Sequence, residues 1–327
     1  MSAARDARPV LALSGGIGGA KLALGLSRVL PAGALTVLAN VGDDFEHLGL
    51  AISPDIDTLL YTLAGLADPE RGWGRHDETW HFMATLEALG GPTWFRLGDA
   101  DLALHAERTR RLAEGATLSE VTDALARRLG IASRLLPASD DSVRTRLRTG
   151  AGWLAFQDYF VARRCEPVVD AIEYAGADRA QASGAALSLL RDPALRAVVI
   201  CPSNPLLSIE PMLAIAALRE ALRACAAPVI AVSPIVQGAA IKGPTAKLLR
   251  ELGCEVDAFA AARRYGDLLA GYVIDAADEE ESRDARLEVV RAPTVMQSQA
   301  SKERLAQVCL DLADAIALRR EVEEAAT

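Results

Sequence analysis

Short apolar runs recur along the chain, each closed by Gly, Asn, Ser or Pro and followed by residues spaced as on a helix. The runs are "VLALSGG", "LTVLANVGDD", "AVVICPSNP", "PVIAVSPIVQG" and "GYVIDA". Strands that are apolar on both faces and alternate with helices predict a parallel sheet covered on both sides. Right-handed crossovers then gather the strand-end loops on one rim, where doubly wound sheets bind ligands. The predicted fold class is α/β, a Rossmann-like three-layer parallel sheet.

The alternation breaks between about Thr58 and Gly130. There "TLLYTLAGLAD", "ETWHFMATLEALG", "DADLALHAERTRRLAEG" and "TLSEVTDALARRLG" read as four consecutive helices, the last opened by Ser119 to Thr122 and stopped by Gly130. This divides the chain into residues 1–60 plus 131–327, a Rossmann-like nucleotide-binding and catalytic domain, and residues 61–130, a small all-helical inserted domain. The stripe Leu118, Val121, Leu125 and Leu129 is expected to form the insert's own core. Further on, "DSVRTRLRTGAGWLAFQDYFVARR" alternates residue by residue around "TGAG", predicting a β-hairpin excursion. Its Trp153, Phe156, Tyr159 and Phe160 form either a platform for a flat ligand or ordinary core packing. The tail from Ser301 reads as a helix fraying into "REVEEAAT", and "DEEESRDAR" from Asp278 as an exposed acidic loop.

Composition narrows the class. A chain of 327 residues, 51% hydrophobic, can bury a large core and is long enough for two domains. The net charge of −9 disfavours nonspecific attraction to nucleic acid or an anionic membrane, so a bound anion must be held by local groups or a metal. No run reaches the roughly 18 apolar residues of a spanning helix, and "MSAARDARPV" has no signal-like core, so a cytoplasmic protein is expected. Cys165, Cys201, Cys225, Cys254 and Cys309 are odd in number and widely spaced, as suits small buried hydrophobes rather than disulfides or a thiolate metal cage.

Candidate chemistry begins with "LALSGGIGGAKLALGL". A P-loop from Gly15 needs Gly before its Lys and Ser or Thr after it, but Ala20 precedes Lys21 and Leu22 follows. A dinucleotide fingerprint from Gly16 and Gly18 needs Gly or Ala where Lys21 stands. What remains is an anion site made from backbone N–H groups at a helix N-terminus and a cation: Gly15, Gly16, Gly18, Gly19 and Lys21. A tight strand-to-helix turn is the plainer alternative. In "VGDDFEHLGLAISPDIDT", Asp43, Asp44, Asp55 and Asp57 fall within fifteen residues at strand and helix ends. Carboxylates on the ligand rim beside a phosphate loop suit a hard divalent ion bound to a diphosphate. A ribose-binding acid at Asp43 and a helix-stabilising Asp55 are the competing readings. Ser203, Asn204 and Ser208 in "CPSNPLLSIEP", and Ser233, Gly238, Lys242 and Gly243 in the next strand-end loop, repeat the polar pattern. His47, His76, His81 and His105 show no metal-ligand spacing, and no nucleophile elbow occurs.

Nine segments in order, "SGGIGGAKL", "NVGDDFEHLGL", "SPDIDTLLYTLAG", "GWGRHDETW", "RLGDADLALH", "LPASDDSV", "FQDYFV", "PSNPLLSI" and "SPIVQGAAIKGP", resemble the CofD-type 2-phospho-L-lactate transferases of coenzyme F420 biosynthesis. The resemblance runs from about Val10 to Leu312. It implies transfer of a phospho-lactyl, enolpyruvyl or glyceryl group from a guanosine diphosphate-activated donor to the ribityl hydroxyl of 7,8-didemethyl-8-hydroxy-5-deazariboflavin (Fo), with release of GMP. It also implies Mg2+ as cofactor, small-molecule substrates rather than nucleic acid or membrane, a homodimer, and a Rossmann-like core with a small helical domain. Asp43 and Asp55 match the family's metal-binding carboxylates; Gly15 to Lys21, and Ser203, Asn204 and Pro205, fall where nucleotide and phosphate are held. For proton removal from the hydroxyl, Asp44 and Asp57 are the candidates, and Trp73, Trp80 or Phe156 for covering the deazaflavin. An NAD(P)-dependent oxidoreductase and a non-catalytic nucleotide-binding relative of the same fold stay open.

Overall fold

The computed structural model describes residues 6–240, 243–279, 282 and 284–325. Lys242 and parts of the acidic run from Asp278 lie outside the described residues. Seven strands form the central sheet: β1 (Val10–Ser14), β2 (Leu35–Ala39), β3 (Arg134–Pro137), β4 (Ala197–Ile200), β5 (Val229–Val232), β6 (Gly271–Asp275) and β7 (Glu288–Ala292). Their spatial order is β3-β2-β1-β4-β5-β6-β7, every pair parallel. Strands β1, β2, β4 and β5 are buried throughout, which explains their unbroken apolar letters. The strand order reverses at β1, which has β2 on one side and β4 on the other. Chains leaving β1 and β4 depart in opposite directions there, opening the crevice in which such sheets hold ligands.

Helix α1 (Gly16–Val29) follows β1 and lies against the C-terminal helix Gln299–Ala325. Their approach is close enough that a Cβ on Gly25 would stand 2.3 Å from the Lys302 carbonyl oxygen, so the seam requires glycine. The tail helix is therefore anchored: Leu305, Ala306, Cys309, Leu310 and Ala313 are buried in the main core. Exposed charges line its outer face, from Arg304 and Asp311 to the last turns.

Between β2 and β3 stand a short hairpin (Phe45–His47 with Leu50–Ile52) and helices α2 (Pro54–Leu63), α3 (His81–Ala88), α4 (Asp99–Ala113) and α5 (Leu118–Arg128). Two expectations for α5 need correction. Its N-cap is Thr117, whose side chain accepts from the Glu120 N–H while Glu120 accepts from the Thr117 N–H, a capping box two residues before the expected Ser119. Its stripe does not form a core of its own: Leu118, Leu125 and Leu129 pack against the main core, because α5 is the helix that leads directly into β3. A small separate cluster of Ile52, Met83 and Leu97 is ringed instead by Phe45, Trp80, Phe82 and Phe95.

The expected hairpin pairs Arg144–Thr149 with Gly152–Ala155, and Val169–Ala175 adds a third antiparallel strand. Its aromatics divide. Phe156 and Tyr159 are buried in a second apolar cluster with Leu206, Leu207 and Leu248, whereas Trp153 and Phe160 are exposed. The five cysteines are free, Cys201 and Cys309 fully buried. Among the described residues, no helix is long and apolar enough to cross a membrane.

Candidate active site

The glycines of the first loop are there because of what lies against them. Helix α1 begins at Gly16, whose φ of +62° is a left-handed conformation that L side chains rarely adopt. A Cβ on Gly18 would stand 2.4 Å from the Pro202 carbonyl oxygen, and one on Gly19 2.5 Å from Ser14 Oγ and 2.6 Å from Ser203 Oγ. The loop after β1 is thus pressed against the loop after β4 across the reversal of strand order. Ser203 Oγ donates to the Gly15 carbonyl at 2.8 Å and accepts the Gly15 N–H at 3.4 Å, and Asn204 Oδ1 accepts the N–H groups of Leu206 and Leu207. Pro205 then begins a buried π-helical turn to Ile209.

Lys21 also has a partner across the fold. Five residues into α1, its ammonium donates to the Met296 carbonyl at 3.3 Å.

Beside the loop, the strand-end carboxylates are buried together. Asn40, directly after β2, donates from a single Nδ2 to Asp43 Oδ1 at 3.1 Å and to Asp55 Oδ2 at 2.9 Å, and to the Leu207 carbonyl at 3.2 Å. Its own Oδ1 accepts the Gly42 N–H. Asp55 Oδ1 accepts the N–H of Gly16 at 2.6 Å, tying α2 to the glycine loop. Asp44 Oδ2 accepts from Ser53 Oγ at 3.0 Å, while its Oδ1 is buried and has no partner. Gln157, in "FQDYFV", reaches in from the hairpin to donate to the Asp43 carbonyl at 3.3 Å.

These three acids therefore have neutral hydrogen-bond donors and no ion-pair partner in contact. The protonation equilibria respond accordingly. Burial, and then the neighbouring Asp55, holds the Asp43 carboxyl well above the usual carboxylate range. Burial pushes Asp55 up to about 6, against the opposing hydrogen bonds from Asn40 and Gly16. Burial likewise pushes Asp44 up to about 7, with Arg144 and Arg108 pulling the other way.

Asp57 belongs to a different environment. Both its oxygens are taken by the guanidinium of Arg108, Oδ2 at 3.1 Å from Nη1 and Oδ1 against Nη2. Arg108 is fully enclosed, and Nη1 also reaches the Ala51 carbonyl at 3.4 Å. Asp43 and Asp55 are thus joined through Asn40, Asp44 lies in the field of Arg144, Arg108 and Asp57, and Asp57 itself forms a buried ion pair with Arg108 of the inserted helix α4. Asn40 and Gln157 lie inside the segments "NVGDDFEHLGL" and "FQDYFV" but are not singled out as site residues there, and Arg108 lies outside all nine segments. Asn40 reaches Asp43 three residues on, whereas Arg108 and Gln157 meet partners 51 and 114 residues away, separations that no local spacing reveals.

A hard divalent ion takes oxygen ligands and uses one or two carboxylates when a substrate phosphate supplies the rest. Asp43, Asp55 and the unpartnered Asp44 oxygen are of that kind, and their uncompensated charge fits a cation. Among the described residues no group of three or more His, Cys, Asp or Glu side chains is arranged to hold a metal by itself.

An all-parallel sheet whose reversal point holds a glycine-bounded helix N-terminus and buried carboxylates defines a Rossmann-like α/β protein with an acidic strand-end site. Comparison with known proteins is more specific. The model of the family described as 2-phospho-L-lactate transferase CofD matches residues 10–316. A phosphoenolpyruvate transferase of Kitasatospora aureofaciens is 43% identical over 277 residues, 83% of this chain and 86% of that protein. One from Streptomyces griseus is 39% identical over 316 residues, 94% of this chain and 99% of that protein, and one from Mycobacterium tuberculosis 37% over 286 residues, 81% and 86%. The solved structure of protein BH3568 from Bacillus halodurans superposes with a TM-score of 0.60 at 13% identity, over 93% of this chain and 99% of that one, a likeness of fold. The chain belongs to the CofD family of 2-phospho-L-lactate transferases. It is accordingly an enzyme of the CofD type, transferring a phospho group from its donor to a deazaflavin acceptor, and the oxidoreductase and non-catalytic alternatives fall away.

Proposed function

We propose that this protein transfers a phosphoenolpyruvyl group from an enolpyruvyl guanosine diphosphate donor to the terminal ribityl hydroxyl of Fo, releasing GMP, with Mg2+ on Asp43 and Asp55. The observation that carries the reading is the pair of buried carboxylates sharing one Asn40 amide beside the glycine loop. The choice among the three donors rests on the relatives, which are phosphoenolpyruvate transferases at 37–43% identity. Asp43 and Asp55 would hold the ion, which would supply charge neutralisation for the diphosphate and its leaving group.

The chain's own groups divide the remaining work. The N–H groups opening α1, with Ser203 and Asn204, hold the anionic donor in line with the acceptor. Lys21 enters this reading only if its ammonium leaves Met296. The acceptor oxygen forms a bond to the phosphorus that bears the acid, the bridging P–O bond breaks, and GMP takes the electron pair. The hydroxyl proton goes to Asp44, whose Oδ1 has no other partner, rather than to Asp57, whose oxygens are both engaged by Arg108. Trp73, 44% exposed on the inserted segment 61–130, is the better aromatic cover for the deazaflavin, since Phe156 is buried in the core. A cytoplasmic homodimer is part of the same reading.

The deciding assay supplies Fo, Mg2+ and each of the lactyl, enolpyruvyl and glyceryl donors in turn, following GMP and product mass. GMP with the enolpyruvyl phosphodiester of Fo, formed fastest from the enolpyruvyl donor, is the expected result. Preference for another donor would overturn the donor assignment, and turnover unaffected by chelating all Mg2+ would overturn the metal.

A further inference from the structure

Helix α2 carries both Asp55, at the glycine loop, and Asp57, one side chain further round. What faces Asp57 is not an apolar core but a seam of ionisable groups between α2 and α4. On α2 stand Asp57 and Tyr61, one turn apart; on α4 stand Asp101, His105 and Arg108, spaced so that all three share a face. Arg108 grips Asp57 with two nitrogens. His105 lies between: its Nδ1 is 3.6 Å from Asp57 Oδ2 and 3.3 Å from Arg108 Nη1, and its Nε2 is 3.3 Å from Asp101 Oδ1. Tyr61 closes the ladder by donating its hydroxyl to the same Asp101 oxygen. His105 and Arg108 are almost wholly buried.

A buried ion pair of this kind is a poor way to gain stability, because the desolvation of both charges offsets their attraction; what it gives is one fixed geometry. The planar fork of Arg108 fixes direction as well as distance, which a single ammonium does not. The fixed object is the first turn of α2. Two residues before Asp57, the Asp55 carboxylate must reach both the Gly16 N–H at 2.6 Å and the Asn40 amide at 2.9 Å. A small rotation of α2 would break both contacts.

We propose that Arg108, seated by His105, is a positioning residue that reaches across from the inserted helix α4 to lock the first turn of α2 and so aims Asp55 into the site. This rests on the reading of Asp43 and Asp55 as the metal carboxylates. Asp57 is then the receiver of the lock and takes no part in proton transfer.

Three variants test it: Arg108→Met, Arg108→Lys, and the pair Asp57→Asn/Arg108→Met, which removes both charges and leaves neither stranded. Asp55→Asn serves as the control for the metal reading. Mg2+ affinity is measured by calorimetry in the presence of GDP, with thermal denaturation for the fold and GMP release for kcat and for the Mg2+ concentration at half-maximal rate. Groups that orient a metal ligand typically change metal affinity by about 10- to 100-fold when lost. A weakening of that order is expected in all three, Arg108→Lys least affected, and it persists in the pair even where the pair melts like the unaltered protein. Should Arg108→Met not fold, the pair carries the test. A pair that is folded and binds Mg2+ as the unaltered protein does, alongside an impaired Asp55→Asn, would overturn the lock while sparing the metal reading. Normal Mg2+ affinity in Asp55→Asn would overturn both.

Discussion

Two groups of aspartates, Asp43, Asp44 and Asp55 on one hand and the buried Asp57 with the half-buried Asp101 on the other, differ in what compensates them. Asp43, Asp44 and Asp55 accept hydrogen bonds from an amide, a hydroxyl and a backbone N–H, all neutral, and one oxygen of Asp44 accepts none. Asp57 and Asp101 meet Arg108, His105 and Tyr61. Burial therefore has opposite meanings. On the compensated side it makes a joint between helices. On the uncompensated side it leaves charge that folding alone does not balance, which is how a site for a cation and a phosphate differs from a structural ion pair.

The contrast is broken first at its uncompensated end. Asp43→Asn or Asp55→Asn is expected to lower kcat for GMP release by about 10²–10³-fold, the scale on which transition-state charge stabilisation is lost, while the metal-free protein melts no lower than before. Next in size, Asp44→Asn should reduce kcat by roughly 10²-fold, as for a lost general base, with little change in the Mg2+ concentration needed; unaltered turnover would remove Asp44 from the proton path. At the compensated end the effect passes from rate to stability. Asp57→Asn strands the buried Arg108 and should cost about 3 kcal/mol in urea unfolding.

The pH response should separate the two groups again. Asp55 and Asp44 have folded-state values near 6 and 7, above the ordinary 3.8, chiefly through burial. Groups raised in this way stabilise the fold fully below their unfolded value, and that contribution is lost as pH rises through the folded one. The Tm of metal-free protein should thus fall from about pH 4 towards pH 7, and Mg2+ should restore more of it at pH 8 than at pH 5, read by thermal scans with Mg2+ or a chelator. The smallest effect concerns the aromatics: Trp73→Ala should raise the KM for Fo by about 3- to 10-fold, the worth of one aromatic stack, and Phe156→Ala should lower stability while leaving that KM in place.

How much of this could be read from letters follows the range of the interactions involved. The buried strands β1, β2, β4, β5 and β6 announced themselves through unbroken apolar runs, and so did the helices between β2 and β3. The edge strands β3 and β7 did not: "RLLP" opens on Arg and closes on Pro, and "EVVRA" carries two charges and is half-buried over most of its length. The first loop, the aspartates and the "PSNP" segment could be singled out because each sits at the end of a legible strand. Asn40 joining two carboxylates, and Arg108 gripping a carboxylate 51 residues earlier, could not, since nothing in a linear spacing encodes which distant side chain will arrive. Lys21 shows the converse: a cation beside four glycines invites a phosphate, yet its helix turns it towards Met296.

The parallel pairing of β1 with β4, Val10 beside Ala197, carries a consequence for how the protein is made. The first loop and its partner segment at Ser203 and Asn204 are separated by well over half the chain, so during synthesis the glycine loop, Asn40 and the aspartates all emerge long before the surface that presses against them. Non-local pairing of this sort is slow to form. Until β4 leaves the ribosome, β1 has one unpaired edge, and the aspartates lack the loop after β4 that encloses them. The unusual acids are thus a property acquired late, in one step, when the sheet closes across its middle.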